Sequence, residues 1–324
     1  VLSSAVSQTM ASEGPGYLRL HRRGELARRA AVFREMLKSC ELCPRRCRVN
    51  RWSGKTGFCR VDARLKVAAV SVHPWEEPPL AGTGGSGTVF FSGCTLSCVY
   101  CQNYPISQMG VGRFLTAEEL ADKMLRLQRR GVHNINLVTG THQIPQFLDA
   151  LCIAAENGLR VPIVYNTSGY ERVAVLERLR GIVDIYLPDI KFASPEAARF
   201  CCGRSDYVVQ NRRALLAMWR QVGPLQIGAD GLAVRGMLVR HLVLPGNLSG
   251  TSQCLAFLRR ALGKDVWVSL MDQYFPAHKA LRMPPLDRRP SQEEIRSALE
   301  CAWRWGLRNG FTQETCPSGG REDG

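Results

Sequence analysis

Six short runs rich in Val, Ile and Leu, separated by stretches of helical periodicity, limit the folds open to this chain more than any other feature. They cover 88–92, 134–138, 161–165, 183–187, 237–244 and 266–270. None alternates cleanly between apolar and polar residues, as expected of parallel strands covered on both faces. The intervening stretches carry helix punctuation. Thr116-Ala-Glu-Glu119 is a capping box, and Gly131 stops the helix it opens. Ile144, Phe147, Leu148, Leu151, Cys152 and Ala155 share one helical face ahead of Gly158. A last helix is expected from Ser291-Gln-Glu-Glu294 to near Gly306. Six strand–helix steps with right-handed crossovers predict an α/β fold, a partial (β/α)6 barrel whose lateral opening admits a large substrate.

The segments outside the barrel differ in character. Residues 1–16 are polar and small, a loose tail in expectation. Residues 24–39 form a basic amphipathic helix with Leu26, Ala30, Phe33 and Leu37 along one side. A cysteine-bearing loop unit spans 40–64, a short strand 65–72, and a connection rich in Pro and Gly runs to Gly87. The expected division is therefore tail and basic helix (1–39), cysteine-rich metal-binding segment and connection (40–87), barrel (88–275) and helical extension (276–324).

No apolar run approaches the ~20 residues of a membrane span, and Val1–Met10 lacks the basic start and apolar core of a secretory signal. Thirteen clustered cysteines in 324 residues point to metal binding in a reducing compartment, so a cytoplasmic location is expected. The formal charge of +15 would attract RNA, an acidic protein partner or an acidic electron carrier. No arginine-glycine repeat or interleaved stacking aromatic accompanies the charge, which favours a solvated basic face or an acidic protein partner over nucleic acid.

Directly after the first run comes Gly93-Cys94-Thr-Leu-Ser-Cys98-Val-Tyr-Cys101. Three thiolates at this spacing hold three corners of a [4Fe-4S] cluster and leave the fourth iron without a protein ligand. Iron–sulfur centres usually take four cysteines, so an open corner is a place for a small molecule. The bland alternatives are a zinc knuckle or three buried cysteines, but structural zinc prefers four ligands in paired groups. A second group, Cys40, Cys43, Cys47 and Cys59, supplies four soft ligands from a basic loop. Four thiolates saturate either zinc or an auxiliary cluster, and ligand softness alone does not choose between them.

Gly84-Gly-Ser-Gly-Thr-Val-Phe-Phe-Ser-Gly-Cys94 through Cys101-Gln-Asn-Tyr104 resembles the pyruvate formate-lyase activating enzyme group of radical SAM proteins. Asn134-Ile-Asn-Leu-Val-Thr139, Val164-Tyr-Asn-Thr-Ser-Gly-Tyr170, Asp184-Ile-Tyr-Leu-Pro-Asp-Ile-Lys191 and Val239-Arg-His-Leu-Val-Leu-Pro-Gly246 extend the likeness to about Tyr274. The resemblance implies a radical SAM barrel in which Cys94, Cys98 and Cys101 bind the cluster and S-adenosylmethionine (SAM) docks on the open iron. Reductive cleavage of SAM would then yield a 5′-deoxyadenosyl radical that abstracts hydrogen from a substrate.

The same resemblance suggests cofactor contacts at the strand ends. Tyr100 falls where the family places a residue against the adenine, although it could equally be ordinary packing. Asn103 belongs to a Cys-Gln-Asn sequence similar to the activases' Cys-His-Asn. Where the family has Gly-Gly-Glu, this chain has Thr139-Gly140-Thr141-His142, which lacks the carboxylate. Gly140 still allows close backbone approach, and Thr141 or His142 is the candidate replacement. Asn166 stands at the family's Asp-Thr pair, and Asp189-Ile-Lys191 resembles its Asp-x-Lys, with a plain salt bridge as the alternative reading. Arg240 matches an activase arginine suited to a carboxylate, whereas His241 should face the other side of its strand.

By resemblance the substrate is a protein glycine of a glycyl radical enzyme, and the electron donor a flavodoxin or ferredoxin. Radical modification of RNA or a peptide is the alternative enzymatic reading. A non-catalytic iron–sulfur electron carrier is the third.

Overall fold

The computed structural model describes residues 14–312, so the expected tail falls almost wholly outside the described residues. Ten strands make one sheet: β1 (Leu65–His73), β2 (Ser86–Phe91), β3 (Arg113–Leu115), β4 (Ile135–Val138), β5 (Ile163–Thr167), β6 (Ile185–Pro188), β7 (Gln226–Ile227), β8 (Ala233–Leu242), β9 (Trp267–Met271) and β10 (Gly310–Thr312). Their order is β10-β9-β8-β6-β5-β4-β2-β1-β3, with β7 paired to β8. From β2 through β9 to β10 every neighbouring pair on that path is parallel, while β1 lies antiparallel to both β2 and β3. The sheet curls without closing, because β3 and β10 end it on opposite edges. This is the expected partial barrel, with its six predicted strands at β2, β4, β5, β6, β8 and β9.

The strand residues face two different environments. Val89, Ile135, Leu137, Tyr165, Tyr186 and Val239 join the large core between the sheet and its outer helices. Val164, Ile185, Leu187 and Leu238 face inward and close on Leu80, from the short helix Pro78–Ala81. Each fully buried aliphatic side chain contributes roughly 1.5–3 kcal/mol, so both packed layers explain why the runs do not alternate. The capping boxes form as expected. Thr116 Oγ1 accepts from Glu119 N at 3.2 Å, and Ser291 Oγ accepts from Glu294 N at 3.2 Å. The helix Ile144–Glu156 buries Ile144, Phe147, Leu148, Leu151 and Ala155, with Cys152 half-buried.

The amino-terminal helices are Gly16–Arg22 and Glu25–Glu35. Leu26, Ala30, Phe33 and Leu37 are buried in the same core as the barrel's outer face. Among the described residues no helix is long and apolar enough to cross a membrane.

Candidate active site

Strand β2 delivers the chain into the cysteine loop, and the first turn depends on a glycine. Gly93 has φ +88°, and a Cβ there would sit 2.4 Å from the carbonyl oxygen of Cys59. Only glycine fits that approach. The loop is then held by its own backbone and by four other parts of the chain. Cys101 N donates to Cys98 O at 3.2 Å and Leu96 N points to Cys94 Sγ at 3.3 Å. Val99 N donates to Cys201 O at 2.8 Å, and Lys279 N and Ala280 N donate to Val99 O at 3.0 and 3.2 Å. Gln108 Nε2 donates to Cys98 O at 2.9 Å. Arg45, from the cysteine-rich unit, donates to Thr95 O at 2.5 Å.

Burial pushes the Cys94 thiol up to about 11. Burial raises Cys101 as well, against a contact from Ser107 Oγ at 3.2 Å. Cys98 is raised well above the ordinary thiol value, first by the neighbouring Cys202 thiol and then by burial. Sequence reasoning missed this neighbour, because nothing in the spacing of Cys201-Cys202 relates it to a loop a hundred residues earlier. Without a metal these thiols keep their protons at neutral pH. A metal binds them as thiolates, so uptake releases protons.

Asn166, Asp189 and Arg240 sit on the inward face of their strands. Asn166 and Arg240 continue the registers of Val164 and Leu238, and Asp189 bridges to Arg240. Lys191 Nζ lies 2.5 Å from Asp189 Oδ2. Burial opposes the Lys191 charge, but the Asp189 carboxylate more than compensates, and Cys98 and Cys101 stand near enough to add to it as thiolates, so the ammonium is held charged. That relation places Lys191 beside the cysteine loop, and the salt bridge and a role at the site coexist.

Arg240 is engaged by the protein itself. Its Nε and Nη2 fork the Glu77 carboxylate at 2.7 and 2.6 Å, and Nη2 also meets Glu76. Burial would lift Glu77, but Arg240 outweighs it and holds the carboxyl below its usual value. Asn136 Nδ2 donates to Glu76 Oε1 at 3.1 Å. These two glutamates belong to the Pro/Gly-rich connection, where no periodicity marked them as inward-facing. His241 faces away, between Ile190 O at 2.7 Å and Thr251 Oγ1 at 3.0 Å, as strand alternation required.

The remaining candidates divide. Tyr100 is packed edge-on between Phe192 and Tyr274, with ring centroids 6.4 and 5.8 Å away. Asn103 is exposed at the start of the short helix Tyr104–Ser107. Gly140 lies against the Phe91 ring. Thr141 Oγ1 donates to the buried Glu171 carboxyl at 2.5 Å, joined there by the hydroxyls of Thr167 and Tyr165. Burial pushes Glu171 up to about 7 against those bonds. His142 Nε2 contacts Ser92 O at 2.7 Å, and burial pushes the ring down to about 4, so it is neutral. It lines a separate small cavity with Cys40, Cys43, Cys47 and Cys59. Among the described residues, no three His, Cys, Asp or Glu side chains already stand in metal-holding geometry. Both cysteine groups are thus donor sets that an incoming metal would have to draw together.

A family model described as the radical SAM superfamily matches residues 88–225, from β2 to the approach to β7. An uncharacterized protein of Methanocaldococcus jannaschii, MJ0674, is 31% identical over 285 residues, covering 85% of this chain and 78% of its own length. A pyruvate formate-lyase-activating enzyme of Clostridium pasteurianum is 34% identical over 139 residues, 41% of this chain and 57% of that enzyme. A crystal structure of a radical SAM methyltransferase from Sphaerobacter thermophilus superposes with TM-score 0.50 at 19% identity. That match covers 70% of this chain and 65% of the methyltransferase, a likeness of fold.

Proposed function

Because the chain belongs to the radical SAM superfamily, we propose that it modifies a protein or peptide substrate by radical hydrogen abstraction, as a glycyl radical activase does. The observation that carries this reading is the loop Cys94–Cys101, set at the end of β2 with Lys191 beside it. The partial likeness to the activating enzyme of Clostridium pasteurianum supports the protein substrate. Three thiols from one loop suit a [4Fe-4S] cluster with one free corner. When bound, that cluster supplies the electron that splits SAM into methionine and a 5′-deoxyadenosyl radical.

The chain's own residues hold and orient. Cys94, Cys98 and Cys101 give up their protons to ligate. Lys191, kept charged by Asp189, offers a cation to the anionic site they form. Asn166 presents an amide into the barrel for polar groups of the nucleoside or methionine. Arg240, forked on Glu76 and Glu77, fixes the lumen wall below rather than offering a free guanidinium. Tyr100 and Asn103 complete the cofactor surface in this reading, while Gly140 and Thr141, packed on Phe91 and bonded to Glu171, support it from behind. His142 joins the wall toward the other cysteine group, where Cys40, Cys43, Cys47 and Cys59 take a second metal. The four sequence segments correspond to basic helix, metal unit, barrel and extension. A cytoplasmic setting and a flavodoxin or ferredoxin donor complete the reading.

Modification of RNA has less support. In the basic amino-terminal stretch, Arg28 and Arg29 pair with Glu25, Arg34 with Asp149, Lys38 with Glu35 and Arg48 with Glu41. These five are neutralised locally while the chain's excess of +15 remains, so the preference for a protein substrate rests on the likeness to the activating enzyme. The test is anaerobic reconstitution of the full chain with iron and sulfide, then addition of SAM and dithionite. Release of 5′-deoxyadenosine is expected; an intact cluster that releases none refutes the proposal.

A further inference from the structure

Cys40, Cys43, Cys47 and Cys59 come from two turns that fold onto each other. Arg46 N donates to Cys43 O at 3.1 Å and Arg60 N to Gly57 O at 3.0 Å, each closing a turn next to a cysteine. The turns touch where Gly57 meets Cys47, since a Cβ on Gly57 would lie 2.9 Å from Cys47 Sγ. All four cysteines line one small cavity with Arg45, Arg51, Thr95 and His142.

The walls of that cavity are short of negative charge. Arg51 is 1% exposed, yet its guanidinium donates only to main-chain carbonyls, Asp62 O at 3.0 and 2.6 Å and His142 O at 2.7 Å. Arg45 likewise bonds to the carbonyls of Thr95 and Leu96 and lies over the Phe58 ring. Neither has a carboxylate partner among the described residues. A buried cation without a counter-charge is costly. In addition, Thr95 Oγ1 and His142 Nδ1 are buried in the same walls without a hydrogen-bond partner among the described residues. A divalent ion with four thiolates carries a net charge of −2, which the two arginines would balance.

Size selects the ion. The cavity holds about 10 Å³, close to the ~10–15 Å³ that one water occupies. A single ion enters by drawing the four thiols inward, whereas four irons and four sulfides would require the two turns to move apart. Among single ions, four thiolates favour zinc.

We infer that Cys40, Cys43, Cys47 and Cys59 hold one structural zinc ion that braces the loop carrying Cys94, Cys98 and Cys101. The brace runs through three contacts. Arg45 donates to Thr95 O and Leu96 O, the Cys59 carbonyl packs on Gly93, and Arg51 reaches His142 O while His142 Nε2 meets Ser92 O. The inference rests on the reading of this group as a second metal site and is independent of the radical chemistry.

The test is metal analysis of the full-length Cys94→Ala/Cys98→Ala/Cys101→Ala variant, expressed with both zinc and iron supplied. One zinc per chain and no iron is expected. Iron in that variant, or a folded variant without metal, overturns the inference. Cobalt substitution of the otherwise unaltered chain keeps the test decisive if the triple variant does not fold. The thiolate-to-cobalt absorption of a tetrahedral four-sulfur site should appear and be lost in Cys43→Ser/Cys59→Ser. Absence of that absorption, or its persistence in the double variant, overturns the zinc assignment whatever the outcome of SAM cleavage.

Discussion

Replacing Arg240 by Met separates a structural arginine from one that waits for a cofactor carboxylate. Arg240 has a side chain 16% exposed, and its carboxylate partners Glu76 and Glu77 are 5% and 6% exposed. Methionine retains much of the stem volume but leaves both carboxylates without a counter-charge, with Asn136 still donating to Glu76. Breaking a buried pair by removing one member costs about 3–5 kcal/mol, while replacing the whole group with neutral residues is often neutral. The Arg240→Met protein should therefore lose about 3–5 kcal/mol at pH 8, a large part of the roughly 5–15 kcal/mol typical of a folded protein. Adding Glu76→Gln and Glu77→Gln should recover most of it.

The pH dependence has a definite sign. In the wild type Glu77 is held below its ordinary value, so its stabilisation is present above that value and fades as pH falls through the folded one. In Arg240→Met, burial without the arginine lifts the Glu77 carboxyl, and the deficit should shrink toward pH 5 as it protonates. Anaerobic urea unfolding followed by tryptophan fluorescence measures this. A loss below about 1 kcal/mol, the scale of an exposed pair, or a loss that the glutamine substitutions leave unchanged, would refute the assignment. In that case weakened SAM binding with normal stability would return Arg240 to the cofactor.

Other substitutions probe the cysteine loop and the buried carboxyl. Gly93→Ala combines a left-handed conformation, worth roughly 1–2 kcal/mol against alanine, with overlap on the Cys59 carbonyl. It should unfold at lower urea and take up less iron, while Gly131→Ala, at φ +85° with open space around it, shows only the conformational cost; equal effects would dismiss the contact. Glu171 is raised from 4.5 to about 7, so the folded state holds its proton more tightly than the unfolded chain. Stability should fall by ~3 kcal/mol as pH rises from below 4.5 to above 7, and Glu171→Gln should flatten that part of the profile. An identical slope in the variant would show that Glu171 is not its source. Cys94→Ala should abolish 5′-deoxyadenosine formation while leaving urea stability within about 1 kcal/mol; retained product would displace Cys94 from the site.

Much of this molecule was visible in the chain because its signals are local. Unalternating strands, capping boxes at Thr116 and Ser291, and cysteines directly after β2 each depend on neighbours within a few residues. What escaped was long-range. Strand β10 was invisible because three residues, Gly310–Thr312, carry no pattern until they find the edge of β9. The helix Gly16–Arg22 is basic and short, and is fixed by Tyr17 and Leu18 entering the core. Glu76 and Glu77 look like solvated loop residues until Arg240 faces them across the lumen. Glu171 sits three residues past Ser168 and reads as surface, yet three hydroxyls, two from β5 and one from the turn after β4, close over it. Alternation on β8 correctly separated Arg240 from His241, but no local pattern told which partner the inward arginine would take.

The most direct measurement is the EPR spectrum of the reduced, reconstituted protein with and without SAM, recorded for the wild type and for Cys202→Ala. The Cys202 thiol, which neighbours Cys98 and donates to Ala198 O at 3.0 Å, is a protein group that would compete for an open iron. SAM should shift the signal in both proteins, because the fourth corner belongs to the nucleoside. A spectrum indifferent to SAM in the wild type would mean that the corner is already filled, and the radical reading would fail.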